Sequence, residues 1–394
     1  MKDDCQSDVR LAQSIAAAMQ LRLPGTAGRV GRKMRYIDEV APHFRGGGAV
    51  RAIPSTLFEQ LWTVGVATAS NSIPAFGGVL YGAVALRQDV TVQSGKAKVG
   101  FQDSQVDVAD MTFVQVANRL IWKQYHLAYQ ILEDLFNEAT LPDLILMDRP
   151  LLVMRGLQAG ALVDEEVREE WEDLLALLTR FWGRYAAHCY PVNPKGPTVA
   201  YIGQRHFGAI LTAIQKEGLR GSVDPITPEL SELVTKQWDD LRRVGVDRIL
   251  RGLLRPGTRT AAYLYTAMGR DALRAAPKMI GEQGLLGWHM QVGHRTPIWQ
   301  VEVLGPADHW QSEALDRIAA MLAYLTLYDN PQALPLPLWH AMRLASVPEK
   351  LLRGYRASMT QMLRDQSVEQ AWLEGVDQFA DETGGAPTWD NSLE

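Results

Sequence analysis

Cysteine is nearly absent from this chain. Cys5 and Cys189 stand far apart without metal-ligand spacing, so idle or buried thiols are expected rather than a disulfide framework or a zinc site. His188, His206, His289 and His294 show no zinc spacing either. Long apolar runs are missing too: no stretch reaches the roughly 18 apolar residues of a membrane-spanning helix. The opening MKDDCQSDVR lacks the apolar core of a secretion signal. A cytoplasmic protein without membrane contact is therefore expected. Positive charge is not in surplus, and a formal net charge of −5 argues against a protein that coats nucleic acid. A local basic groove stays open, because steering depends on where charges lie. The three glycines at 46–48 lack the lysine and helix of a phosphate-binding loop. There are no repeats and no low-complexity tract.

What remains is ordinary in bulk and informative in order. With 394 residues, 47% hydrophobic and 22% charged, the chain can bury one large core or two modest ones. Residues 61–70 (LWTVGVATAS), 77–86 (GGVLYGAVAL) and 89–101 read as three successive strands. Apolar residues at helical spacing fill 111–139, and 144–148 (LILMD) makes a short buried strand ending in a lone acid, Asp148. Three strands, a helix and an acid-terminated strand are the first half of a ribonuclease-H-like sheet. Helix 164–190, strand 198–203 and helix 204–217 complete the order β-β-β-α-β-α-β-α. Further on, 228–254 reads as helix, 257–268, 284–293 and 296–303 as strands, and 308–328 and 348–364 as helices. The expected fold class is α/β: an RNase-H-like mixed sheet flanked by helices, with a helical C-terminal extension. The expected divisions are 1–60, a helix at 8–21 followed by a basic glycine-rich linker or arm; 61–370, the main domain; and 371–394, a disordered tail.

Three stretches carry a resemblance to a known family. They are VGVATASNSIPAFGGVLYGAVAL, the strand LILMDRPLL and the C-terminal ALPLPLWHAMRLASV. Together they resemble the NurA nucleases, RNase-H-like and metal-dependent enzymes of DNA end resection that work with the hexameric translocase HerA. In the second stretch that family typically has Asp-Gly-Ser-Leu. The resemblance implies a DNA nuclease that uses Mn²⁺ or Mg²⁺, acts as a homodimer and docks on a HerA-type hexameric ATPase. Break repair and defence against foreign DNA both stay open.

Carried over residue by residue, the resemblance makes Asp148 and Glu133 catalytic acids and metal ligands, with His340 close to the metals; Lys123 and Gln124 occupy another register of the same helix that could align, and neither is acidic. The family's first acid falls on Ala67, which reads as a vacated Asp position, either lost or replaced by Ala. Arg205 and His206, just past the fifth strand, are candidate DNA contacts. The chemistry sets the requirement: two divalent ions roughly 4 Å apart stabilise the attacking and leaving oxygens of a phosphodiester, and such hard cations need converging carboxylates. A chain short of one bridging acid can still fold and bind DNA. The second reading is accordingly a catalytically dead NurA-like platform. A third is an unrelated RNase-H-like enzyme such as a transposase or resolvase.

Overall fold

The computed structural model describes residues 2–151, 159, 164–189, 197–203, 209–217, 223–264, 285–305, 310–326 and 334–366. In chain order the elements are α1 (Lys2–Gly46), β1 (Val50–Ala52), β2 (Gln60–Ala75), β3 (Gly78–Gln93), β4 (Lys96–Met111), α2 (Val116–Phe136), β5 (Leu144–Met147), α3 (Glu165–Tyr185), β6 (Thr198–Gly203), α4 (Ala209–Glu217), α5 (Pro228–Lys236), α6 (Trp238–Val244), α7 (Val246–Leu253), β7 (Thr258–Thr260), β8 (Tyr263–Leu264), β9 (Leu285–Gln291), β10 (Trp299–Leu304), α8 (Ser312–Tyr324), α9 (Leu336–Leu344) and α10 (Glu349–Asp365).

The strands form one mixed sheet in the order β1-β7-β9-β10-β6-β5-β2-β3-β4, with β8 beside β9. β5 lies parallel to both β2 and β6, and the other pairs are antiparallel. Two tight hairpins set the register of the long strands. Phe76-Gly77 and Ser94-Gly95 both take positive φ at each central residue, the twist-matched geometry that favours glycine in the second place.

Side chains alternate along each strand, so every strand feeds two cores. Val64, Val66, Ile145, Met147, Val199 and Tyr201 pack on one face under α2 and α3. Leu61, Ala67, Leu144, Leu146, Val301 and Val303 pack on the other, under α8 and α9. Gly65 holds α9 against the sheet: an added Cβ would stand 2.4 Å from the Pro337 carbonyl. Across the first layer, fully buried Arg119 of α2 donates to Glu170 of α3 at 2.7 Å.

Several element expectations are corrected. The basic passage is not a linker, because α1 runs unbroken from Lys2 to Gly46 through Pro24 and Pro42. Its last turns bury Ile37, Val40, Ala41 and Phe44 against the small helices, whereas Gly25 and Gly28 are exposed. The single helix expected over 228–254 breaks twice, at Gln237 and at Gly245, whose φ of 91° ends a helical path. The strand expected over 257–268 is two short ones, and residues past Leu264 lie outside the described set, as does the tail from 367. Inside the proline-rich connector, Leu336–Leu344 is helical. Cys189 is free and buried. Among the described residues, no helix is long and apolar enough to cross a membrane.

Candidate functional site

The parallel pairing of β2 with β5 brings two chain segments to one point. Val66 lies opposite Met147, and the Asp148 amide donates to the Val66 carbonyl at 3.2 Å. The next residue of β2 therefore meets the Asp148 side chain. The Thr68 amide donates to Asp148 Oδ2 at 2.9 Å, and the Thr68 hydroxyl lies 3.2 Å from the same oxygen. Thr68 Oγ1 also accepts from Arg149 Nε at 2.9 Å. Arg149 Nη2 donates to Gln124 Oε1 of α2, and Gln124 Nε2 donates to the Ser70 hydroxyl. The result is a closed polar network on the α2 side of the sheet: an acid, two hydroxyls, an amide and a guanidinium. Thr68 and Gln124 are buried, whereas Asp148 and Arg149 are partly exposed.

Desolvation sets the electrostatics. It pushes the Asp148 carboxyl above its ordinary range, against the pull of Arg149 and the hydrogen bonds from Thr68. Tyr125, whose hydroxyl donates to the Pro150 carbonyl at 2.9 Å, is raised by burial and feels Arg149 and Glu302 with opposite signs. A second acid, Glu302, therefore acts on Tyr125. Glu302 sits on β10 opposite Tyr201 and accepts from Gln300 at 2.7 Å. Its signal was present in the alternation WQVEV, where polar residues interrupt a buried strand on one face. Thr68, next to Ala67, and Gln124, in the alternative register of the helix, are passed over in a search for acids because neither is one, and Arg149 carried no signal.

Three carried-over residues sit elsewhere. Ala67 does not face Asp148. Its side chain points to the α8/α9 face, fully buried among Leu61, Leu144, Leu146 and Leu338, because neighbouring residues of a strand face opposite ways. Thr68 is the residue that meets Asp148. Glu133 lies nine residues beyond Gln124 on the same helix, about half a turn around it and roughly 13 Å along. It pairs with Arg180 of α3 at 3.1 Å instead of converging on Asp148. His340 lies on α9, half-buried, with its ring against Trp339 and its pKa lowered by burial and by Arg343. Arg205 and His206 lie outside the described residues.

The donor set decides whether a metal fits. Among the described residues, no group of three or more His, Cys, Asp or Glu side chains could hold a metal ion. The groups hydrogen-bonded around Asp148 are neutral or cationic, whereas a two-metal centre for Mg²⁺ or Mn²⁺ needs carboxylates that converge. The described residues do not fit a two-metal centre. A cavity of about 310 Å³ between β4, α2 and α3 is lined by Asp107, Lys123, His126, Glu170 and Asp173, and does not reach Asp148.

No family model matches the sequence, and no curated protein does. Solved structures do. The NurA nuclease from Sulfolobus solfataricus superposes with a TM-score of 0.52 at 14% identity, covering 92% of this chain and 99% of that one. Looser matches include a NurA with manganese, at TM-score 0.40 and 11% identity over 88% and 98% of the two chains. An endonuclease V from Bacillus subtilis matches at 0.33 and 11% over 81% and 92%. The fold is that of the NurA nuclease, along nearly the whole chain.

Proposed function

We propose that this chain is a NurA-like subunit of a DNA-processing assembly whose own cleft holds DNA without hydrolysing it. It acts as a homodimer on a HerA-type hexameric ATPase, which feeds DNA past the cleft. The observation that carries this reading is the network at the end of β5. Thr68 and Gln124 stand around Asp148 where further acids would have to converge, and Arg149 fills the space between them. A guanidinium repels a dication and attracts a phosphate.

A second reading is favoured by the superposition over 92% of the chain and by the survival of Asp148 beside β2. In it the chain is a DNA nuclease that uses Mn²⁺ or Mg²⁺ and hydrolyses phosphodiester bonds. One experiment separates the two. Linear duplex and single-stranded DNA are incubated with the protein and Mn²⁺, with and without the ATPase, alongside Asp148→Ala. Binding without cleavage supports the holding subunit. Cleavage that disappears in Asp148→Ala establishes the nuclease and ends the first reading.

A further inference from the structure

We propose that Arg149 is a built-in cation that takes one nucleic-acid phosphate at the end of β5, so that this site binds its ligand without metal. The inference rests on the holding-subunit reading and specifies its chemistry.

A guanidinium carries five N–H donors in a planar fork. Nε is committed to Thr68 and one Nη2 hydrogen to Gln124, leaving three without a partner among the described residues. The two committed bonds anchor the fork to buried side chains of β2 and α2, and Arg149 itself is partly exposed. It is therefore oriented before any ligand arrives, which lowers the ordering cost of binding. Charge-assisted bonds from such a fork to a phosphate are the strong kind, and the planar geometry suits two phosphate oxygens at once. Asp148 has a supporting place here. It accepts from the Thr68 amide and hydroxyl, and so fixes the oxygen to which Arg149 Nε donates. Its own charge opposes the phosphate. Removing that charge should tighten binding to Arg149, whereas removing it from a metal-bridged site should weaken binding.

That opposition in sign gives the test. Fluorescence anisotropy follows labelled single-stranded oligonucleotides, with 5′-phosphate or 5′-hydroxyl ends, in EDTA and in Mn²⁺. The wild-type protein, Arg149→Gln, Arg149→Lys and Asp148→Asn are compared, each checked for folding by its thermal transition. The wild type is expected to bind in EDTA. Arg149→Gln should raise Kd about tenfold or more and lower the slope of log K against log salt by roughly 0.7. Arg149→Lys should restore the slope but not the affinity, since it keeps the charge and loses the fork. Asp148→Asn should bind more tightly. A tenfold preference for the 5′-phosphate would identify a terminal phosphate as the occupant, and equal binding an internal phosphodiester. Arg149→Gln with unchanged Kd and slope overturns the assignment while leaving the holding-subunit reading intact. Binding that needs Mn²⁺ and is weakened in Asp148→Asn overturns both. A wild type that binds no oligonucleotide in either buffer also overturns both.

Discussion

If Thr68 and Gln124 are the positions that face Asp148, carboxylates placed there should create the metal site the native residues do not supply. The perturbation is Thr68→Asp with Gln124→Glu and Arg149→Gly. The native network holds one acid and one guanidinium, so its formal charge balances; the variant holds three acids and no cation. Thr68 Oγ1 lies 3.2 Å from Asp148 Oδ2, so an introduced carboxylate stands in near contact with Asp148. At about 4 Å, two like charges repel by roughly 4 kcal/mol at the effective dielectric near a protein surface. Without metal the variant should lose several kcal/mol of stability or hold one carboxyl protonated. A dication that bridges the new acids reverses that penalty. At a concentration one hundred times Kd it returns about 2.7 kcal/mol, which for a chain of this size is a rise of a few degrees in Tm. Thermal melts with and without Mn²⁺ read the effect. The wild type should shift little, and the variant by several degrees in a manner reversed by EDTA. A wild type stabilised by Mn²⁺ as strongly as the variant would show that the native residues hold a metal after all. A folded variant with no Mn²⁺ response would show that the three positions do not converge.

Two further outcomes follow from the same geometry. Ala67→Asp should destabilise the fold by several kcal/mol in urea unfolding, because it buries an unpartnered carboxylate in an apolar cluster, and it should create no Mn²⁺ response; a stable, Mn²⁺-binding variant would restore position 67 to the site. Glu170→Gln should cost about 1–3 kcal/mol at pH 7, since Arg119, fully buried, loses one of its charged partners. Burial alone would raise the Glu170 carboxyl, but hydrogen bonds and charge from Arg119 and Lys123 outweigh it and hold the carboxyl below 4.5. A depressed folded pKa stabilises above the unfolded value and is lost as pH falls through the folded one. The gap between wild type and variant should therefore narrow as pH falls below the unfolded carboxylate value of about 4.3 and vanish below the folded one, and a gap that stays constant with pH would mean the carboxylate charge contributes nothing.

The sheet was legible because its signals are redundant. In β2, β3 and β5, alternation, β-branched content and flanking turn residues all point the same way, and the order of elements follows from them. The long first helix was hidden for the converse reason. Gly25, Gly28 and Gly31 with Pro24 read locally as linker, yet the helix runs through them, and the apolar contacts that anchor it come from Ile37, Val40, Ala41 and Phe44, whose partners are distant in sequence. The second break of 228–254 turns on a positive φ at Gly245, which glycine permits but does not announce.

The site was half legible, and the reason lies in the pleat. Asp148 could be placed because it ends a four-residue apolar strand, and a strand end is a point rather than a face. Its partner on β2 could not, because β2 runs sixteen residues and a one-residue error in a period-two element carries a side chain through the sheet. Ala67 and Thr68 differ by that single step, with one in the apolar core beneath α9 and the other bonded to Asp148. The same error propagates to α2, where seeking an acid leads to Glu133 although the residue that reaches Thr68 and Arg149 is Gln124. Searching for carboxylates finds a metal site only where carboxylates remain. Here the positions that meet at Asp148 are a hydroxyl, an amide and, one residue after that acid, a guanidinium. The hydrogen-bonded network pairs one acid with one guanidinium and joins the Thr68, Ser70 and Gln124 side chains to them, so its cohesion comes from these bonds together rather than from any single pair.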